Sequence, residues 1–373
     1  MAPVVLEMNN STIFPIKKCS DLRDPTVTKV IFPILYIFVF LGGFLLNMLA
    51  AWIFCHIPNQ SSFVIYLKNI VAADLLFMLT LPFKIISDSN LGSWKVKAFV
   101  CRYSAVFFYN SMYISVIFLG LISLDRFLKI VQPRKGTCMQ KGTFARVVSG
   151  GCWVFILAFA LPNIILTNQV PTEKNVSSCL KLKSKVGVIW HRIVVFQSNG
   201  IFWIVLVFLT LCYLAILKKM YWSNQKFQKD SSIVIKKANR NIFSILGVFC
   251  ICFVPYHFIR IPYDNSRLTS DCTTQNKLYY TKQATLLLCA CNVCLDPIIY
   301  FLLCKSFTRL LRRKLKIKRS LNLTQHKAQN KPQSSHTSIP SPETSKVVVE
   351  LVKANSLPFT SNVGSQKPKV HKK

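Results

Sequence analysis

Seven long apolar stretches decide what this chain can fold into. They run from Val30 to Phe54, Phe63 to Ile86, Ala98 to Ile130, Ala145 to Leu166, Ile189 to Leu217, Asn241 to Tyr263 and Leu278 to Leu303. Each is long enough to cross a hydrocarbon layer of about 30 Å as an α-helix, and none shows the two-residue alternation of an outer-membrane strand. The third stretch is the axis of the pattern: from Cys101 to Arg126 a helix is ~38 Å long, so its two ends face opposite compartments. The sequence therefore predicts an all-α membrane protein, a seven-transmembrane helix bundle. At 52% hydrophobic and only 16% charged residues the chain is too apolar for a soluble domain of 373 residues.

The charge balance is +34, with 47 Lys and Arg against 13 Asp and Glu. That excess lies in loops and in the C-terminal segment, which points to membrane topology and anionic lipid rather than nucleic acid. After the third span come Arg126, Lys129, Arg134, Lys135, Lys141 and Arg146; after the fifth come Lys218, Lys219, Lys226, Lys229, Lys236, Lys237 and Arg240. The positive-inside rule makes both loops cytoplasmic and the N-terminus extracellular. Residues 1–29 form an extracellular arm with sequons at Asn9 and Asn10, and Asn175 is a third acceptor in the second outer loop; Asn59 falls on the inner side. No basic-then-apolar leader precedes the first span. Residues 30–304 are the seven-span bundle. Residues 305–318 place Phe307, Leu310, Leu311 and Leu315 on one face and basic residues around it, an amphipathic helix suited to the inner leaflet. Residues 319–373 are rich in Ser, Thr, Pro, Gln and Lys, and form a disordered cytoplasmic tail open to phosphorylation.

Of 14 cysteines, most sit inside apolar runs, where a reduced thiol behaves as a small hydrophobe. Cys19, Cys101, Cys179 and Cys272 lie in or beside polar segments on the outer side. Three pairings are open to them; the expectation is Cys101–Cys179 with Cys19–Cys272. No cysteine pair has histidine partners at metal-ligand spacing, so no metal centre and no cofactor is expected.

Asp74 is flanked by Leu75, Leu76 and Phe77 and cannot face lipid cheaply. Asn47, Ser115, Asn292 and Asp296 sit at comparable depth. Two readings stand: a cluster that holds sodium and water, or a hydrogen-bonded network that only fixes packing. Pro82, Pro162, Pro255 and Pro297 break four spans and free carbonyls that such a network can use.

Asp125-Arg126-Phe127 resembles the D-R-Y motif of rhodopsin-like G-protein-coupled receptors. Asn47, Asp74, Trp153, Cys252-Phe253-Val254-Pro255 and Asp296-Pro297-Ile298-Ile299-Tyr300 are similar to the remaining span signatures, in order, over residues 30 to 318. Phe127, Phe253 and Asp296 depart from the commonest residues of those motifs. The resemblance implies a heterotrimeric G protein as partner, with Asp125, Arg126, Tyr213, Phe253, Asp296 and Tyr300 as coupling and switch residues. An Asp125–Arg126 ion pair would hold the resting state. It also implies exclusions: Phe108 stands where amine receptors carry aspartate, and Ala290 where opsins carry the retinal lysine.

In the outer half, His257 and Arg260 share one face of the sixth span, and Tyr263 follows on the same side. Lys282 opens the seventh span. Lys97, Arg102, Lys183, Lys185, His191 and Arg192 approach from loops, against only Asp88, Glu173, Asp264 and Asp271. A concave site with this excess attracts a polyanion, and an arginine fork with a lysine point charge suits phosphate. For Lys183 and Lys185 the expectation is exposure at the headgroups.

Tyr256-His257-x-x-Arg260-Ile261-Pro262-Tyr263, Leu161 to Asn168 and Ser62 to Asn69 resemble the metabotropic purinoceptors, nearest the Gi-coupled branch that answers ADP or UDP-sugars, with its orphan relatives. The resemblance implies that Arg260, Tyr263 and Lys282 hold phosphates, while Tyr109, Asn163, His191 and His257 line the base, ribose or phosphate region. Gln283 replaces the branch's usual glutamate, and Val195 an asparagine. The function expected is a plasma-membrane receptor for an extracellular nucleotide, signalling through Gi, and not an enzyme. The alternatives are a receptor for a phosphate-bearing lysolipid and, in another class, a seven-span transporter or channel.

Overall fold

Every apolar stretch becomes a helix, because a backbone in hydrocarbon must satisfy its own hydrogen bonds. A computed structural model of the protein describes residues 19–314 apart from 59–60, 133–137, 174, 177, 227–230, 270 and 305. Asn9, Asn10, Asn59 and the tail 319–373 lie outside the described residues. The seven long helices are α1 (Val27–Cys55), α2 (Ser62–Asp88), α3 (Trp94–Val131), α4 (Gly142–Ile165), α5 (Lys185–Lys226), α6 (Ser231–Thr269) and α7 (Cys272–Leu303). A short α8 covers 306–314. Most helices outrun their apolar stretches, since the i→i−4 ladder continues into polar flanks that need no lipid contact. Asp271 caps α7 by accepting the Thr274 amide at 3.1 Å.

α3 is central and α4 peripheral: 61% of the apolar window of α3 is buried against 22% for α4. Phe38, Leu45, Val154 and Ile204 are each more than 65% exposed. In water such a belt would drive aggregation; here it is the lipid-facing surface.

Pro297 cannot donate to the carbonyl of Val293, and the side chain of Asn47 does so instead. Its Nδ2 donates to the Val293 carbonyl at 2.7 Å and to Gly43 at 3.0 Å, joining α1 to α7. Near the Pro255 break, Cys289 Sγ donates to the Cys252 carbonyl at 3.1 Å. Trp153 donates its indole N–H to Asn69 at 2.9 Å, holding α4 on α2.

Both expected disulfides are present, Cys19–Cys272 and Cys101–Cys179, and they define one end of the bundle. At the other end Phe307 of α8 is buried against Phe54 and Tyr300, while Arg309, Arg312 and Arg313 stay exposed.

Asn47→Leu leaves the Val293 carbonyl unpaired in a dry interior, a loss of about 1–3 kcal/mol. The thermal unfolding midpoint of the receptor purified in detergent is expected to fall by several degrees. Leu45→Ala, on the lipid face at 69% exposure, is expected to leave it nearly unchanged.

Candidate ligand vestibule and switch residues

At the disulfide end, Cys101–Cys179 pins the α4–α5 connection onto α3, and the Arg102 guanidinium donates to the Thr167 carbonyl at 2.6 Å beside it. The turn Cys179–Leu182 then directs Lys183 inward. Lys183 is only 9% exposed, which corrects the expectation of a headgroup cation. Its Nζ donates to Thr167 Oγ1 at 3.0 Å and to Asn163 Oδ1 at 3.2 Å. Burial holds the Lys183 ammonium at a pKa of about 8, well below that of a solvated lysine. Asn163, expected to line the ligand region, accepts from Lys183 and donates to the Phe159 carbonyl at 3.3 Å.

The opposite wall is built from α2, α3, α6 and α7 around Tyr109. Arg260 lies with its guanidinium 5.5 Å from the Tyr109 ring and 6.0 Å from the Tyr256 ring. Lys84, which no motif in the sequence marks, is paired with Asp88 at 2.6 Å and lies 4.8 Å from the Tyr36 ring. Lys282 sits 5.6 Å above the Tyr263 ring. Cations from α2, α6 and α7 thus lie over aromatic rings in this half of the bundle, Arg260 over Tyr109 itself. Arg260 is not bare: its Nε reaches Asp264 at 3.5 Å. Among the described residues no carboxylate is within ion-pair distance of Lys282 or Lys183. On that wall Asp88 and Asp264 stand against Lys84, Arg260 and Lys282.

Gln283 donates to the Tyr279 hydroxyl at 3.0 Å, and the Tyr279 ring carries the Arg23 guanidinium at 3.7 Å. Arg23 also donates to Asn276 at 2.8 Å, so the arm is clasped over the start of α7. His191 is half-buried near the start of α5. His257 differs from expectation. It is 1% exposed, stacked 3.7 Å from the Phe202 ring with Tyr113 at its edge, and is therefore shut off from solvent. Phe202 stacks on Phe249, and Phe249 leans on Phe253, so an aromatic column leads from His257 to the expected switch residue Phe253.

Lower in the bundle the predicted polar residues do come together. Asn292 donates to Asp296 at 2.7 Å, Tyr300 donates to Asp74 at 3.2 Å, and Ser115 is buried beside them. One oxygen each of Asn47, Asn292 and Asp296 is buried without a partner. At the Arg126 end the expected Asp125–Arg126 pair is replaced. Asp125 is held by Lys129 at 2.8 Å and by Ser62, and Arg126 lies against Phe63. Tyr213 accepts a bond from Ser123 at 3.0 Å. Asn175 is half-buried in its loop, with its side chain bonded to Thr172 and Val170.

A cavity of about 370 Å³ between α2 and α3, lined by Leu76, Leu79, Phe83, Phe99, Tyr103 and Phe107 among others, opens on the lipid face and has no charged lining. The charged vestibule is the better match to a polar ligand.

Seven helices long and apolar enough to cross a membrane, closed by two disulfides at one end, are the frame of a seven-helix membrane protein. A family model described as 7 transmembrane receptor (rhodopsin family) matches residues 46–300. Purinoceptor 14 of Bos taurus is 48% identical over 310 residues, 83% of this chain and 92% of the relative. Purinoceptor 13 of Homo sapiens is 44% identical over 312 residues, 83% and 88% respectively, and G-protein coupled receptor 87 of Mus musculus is 48% identical over 311 residues, 83% and 86%. The chain belongs to the rhodopsin family of seven-transmembrane receptors, in its purinoceptor branch, and is a receptor rather than an enzyme.

The Lys183 environment sets a pH dependence. Its folded pKa of about 8 lies below the ordinary lysine value of ~10.4, so between those values the unfolded chain holds a proton the folded chain has released. Stability therefore rises with pH across that window. In thermal unfolding from pH 7 to pH 10, wild type is expected to gain stability relative to Lys183→Met, which has no titrating group at that position.

Proposed function

We propose that the vestibule binds an extracellular nucleotide, ADP or a UDP-sugar, and that binding drives nucleotide exchange on a heterotrimeric G protein of the Gi type. The Arg260 guanidinium over the Tyr109 ring, with Lys282 over Tyr263 and Lys84 over Tyr36, carries this reading. Arg260 offers a planar fork to a phosphate and Lys282 a mobile point charge, while Lys183 supplies a second ammonium from the loop. Tyr109 and Tyr263 present ring faces under those cations and can pack against a base or ribose. His191 lies at the loop-facing rim. His257 and Asn163 act one layer behind, His257 through the aromatic column and Asn163 by holding Lys183.

In this proposal the N-terminal arm and Asn175 are extracellular and Asn9, Asn10 and Asn175 carry glycans, while α8 lies on the inner leaflet and the tail from 319 is cytoplasmic. The unpaired oxygens of Asn47, Asn292 and Asp296, with the Asp74 carboxylate, are hard donors suited to a sodium ion, which would favour the resting arrangement of α7. Ligand contact with α6 and α7 would then favour an active arrangement at the Arg126 end, in proportion to its tighter binding there. The lysolipid alternative draws support from the lipid-facing cavity, which lacks a cation for the headgroup.

A panel of ADP, UDP-sugars and lysophospholipids, read by Gi activation, is expected to give a nucleotide response. Arg260→Ala and Lys282→Ala should each lose about ten- to a hundredfold in potency, as removal of a charge-assisted hydrogen bond implies. A phosphate ligand acting equally well on both variants would place the site elsewhere.

A further inference from the structure

At the Arg126 end two adjacent residues of α2 separate the two charges of the Asp-Arg pair. Ser62 is fully buried, and its hydroxyl donates to Asp125 Oδ1 at 2.5 Å. Lys129, one turn along α3, binds the same carboxylate at 2.8 Å and 2.9 Å and is itself 3.5 Å from the Ser62 hydroxyl. Asp125, at 4% exposure, is thus neutralised and hydrogen-bonded without its neighbour in sequence. The next residue of α2, Phe63, receives the guanidinium of Arg126, whose central carbon is 3.5 Å from the ring centre. The Arg126 Nε is buried there with no hydrogen-bond acceptor.

A guanidinium with no carboxylate at ion-pair distance gains from another nearby source of negative potential. The face of an aromatic ring supplies it, at a smaller desolvation penalty for the weakly hydrated guanidinium than for an ammonium. We infer that Phe63 is the resting platform of Arg126, and that the Ser62–Asp125–Lys129 triad keeps Arg126 on it by occupying the competing carboxylate. Signalling then requires Arg126 to leave the ring, so the strength of the stack sets the threshold for coupling. Phe63 is a positioning residue that acts through Arg126. Membership of a G-protein-coupled family underlies this inference, which is independent of the ligand that fills the vestibule.

The two halves of the clamp make opposite predictions. Phe63→Leu keeps an apolar side chain but removes the ring face, and frees Arg126. Lys129→Met leaves Asp125 with Ser62 alone, so that Asp125 draws Arg126 off the ring into an ion pair that holds it more firmly. Ligand-free nucleotide exchange is measured on purified receptor in nanodiscs with a panel of Gi, Gq and Gs heterotrimers, after matching receptor amount and unfolding temperature. Phe63→Leu should raise exchange several-fold on whichever heterotrimer responds, Phe63→Trp, with the stronger ring face, should fall to or below wild type, and Lys129→Met should fall below it. A role in packing alone would move Phe63→Leu and Lys129→Met downward together. Exchange unchanged or reduced in Phe63→Leu, or both variants shifting in the same direction, overturns the inference. Because Lys129 is partly exposed, a rise or no change in its variant is equally decisive against the clamp should Phe63→Leu fail to fold.

Discussion

The bond from the Asn47 side chain to the carbonyl of Val293 stands for the constraint on which the whole bundle depends. In hydrocarbon there is no water to satisfy a broken ladder, so each proline that bends a helix obliges a group elsewhere to donate. Asn47 meets that obligation across the α1–α7 contact and, in doing so, leaves its own oxygen unpaired, as are one oxygen each of Asn292 and Asp296. The polar interior and the helix bends are therefore one feature. Removing either leaves the other with an uncompensated group.

What the sequence disclosed depended on which interaction fixes each residue. The seven spans were legible because lipid imposes a length and a polarity on every one of them, and the shared face of His257 and Arg260 was legible because helical spacing carries it. Lys183 was not, since its inward turn is set by the Cys101–Cys179 bond and the Arg102–Thr167 contact rather than by local pattern. Lys84 had a usable signal in its i,i+4 spacing to Asp88, and it became meaningful only once the Tyr36 ring was seen to lie against it. The pairing of Asp125 with Lys129 has the same i,i+4 spacing; adjacency in the motif pointed to Arg126 instead, and adjacent residues on a helix do not face each other.

The middle of the bundle is packed by aromatic contacts rather than by charge. His257, Phe202, Phe249 and Phe253 pass from below the vestibule toward the helix break at Pro255, and each is nearly or fully buried. Close-packed rings have few intermediate arrangements, which suits them to two-state rearrangement. Phe249, Phe253 and His257 recur every fourth residue along α6, while the insertion of Phe202 from α5 belongs to tertiary packing.

Both disulfides lie at the same end. One fastens the arm before α1 to the start of α7, across 253 residues of sequence, and the other fastens the long loop to α3. Together they act as a hoop around that rim, closing the first and last staves of a cask. A cask bound at one rim spreads more readily at the other, so the helices are freer to part at the end where Arg126 lies.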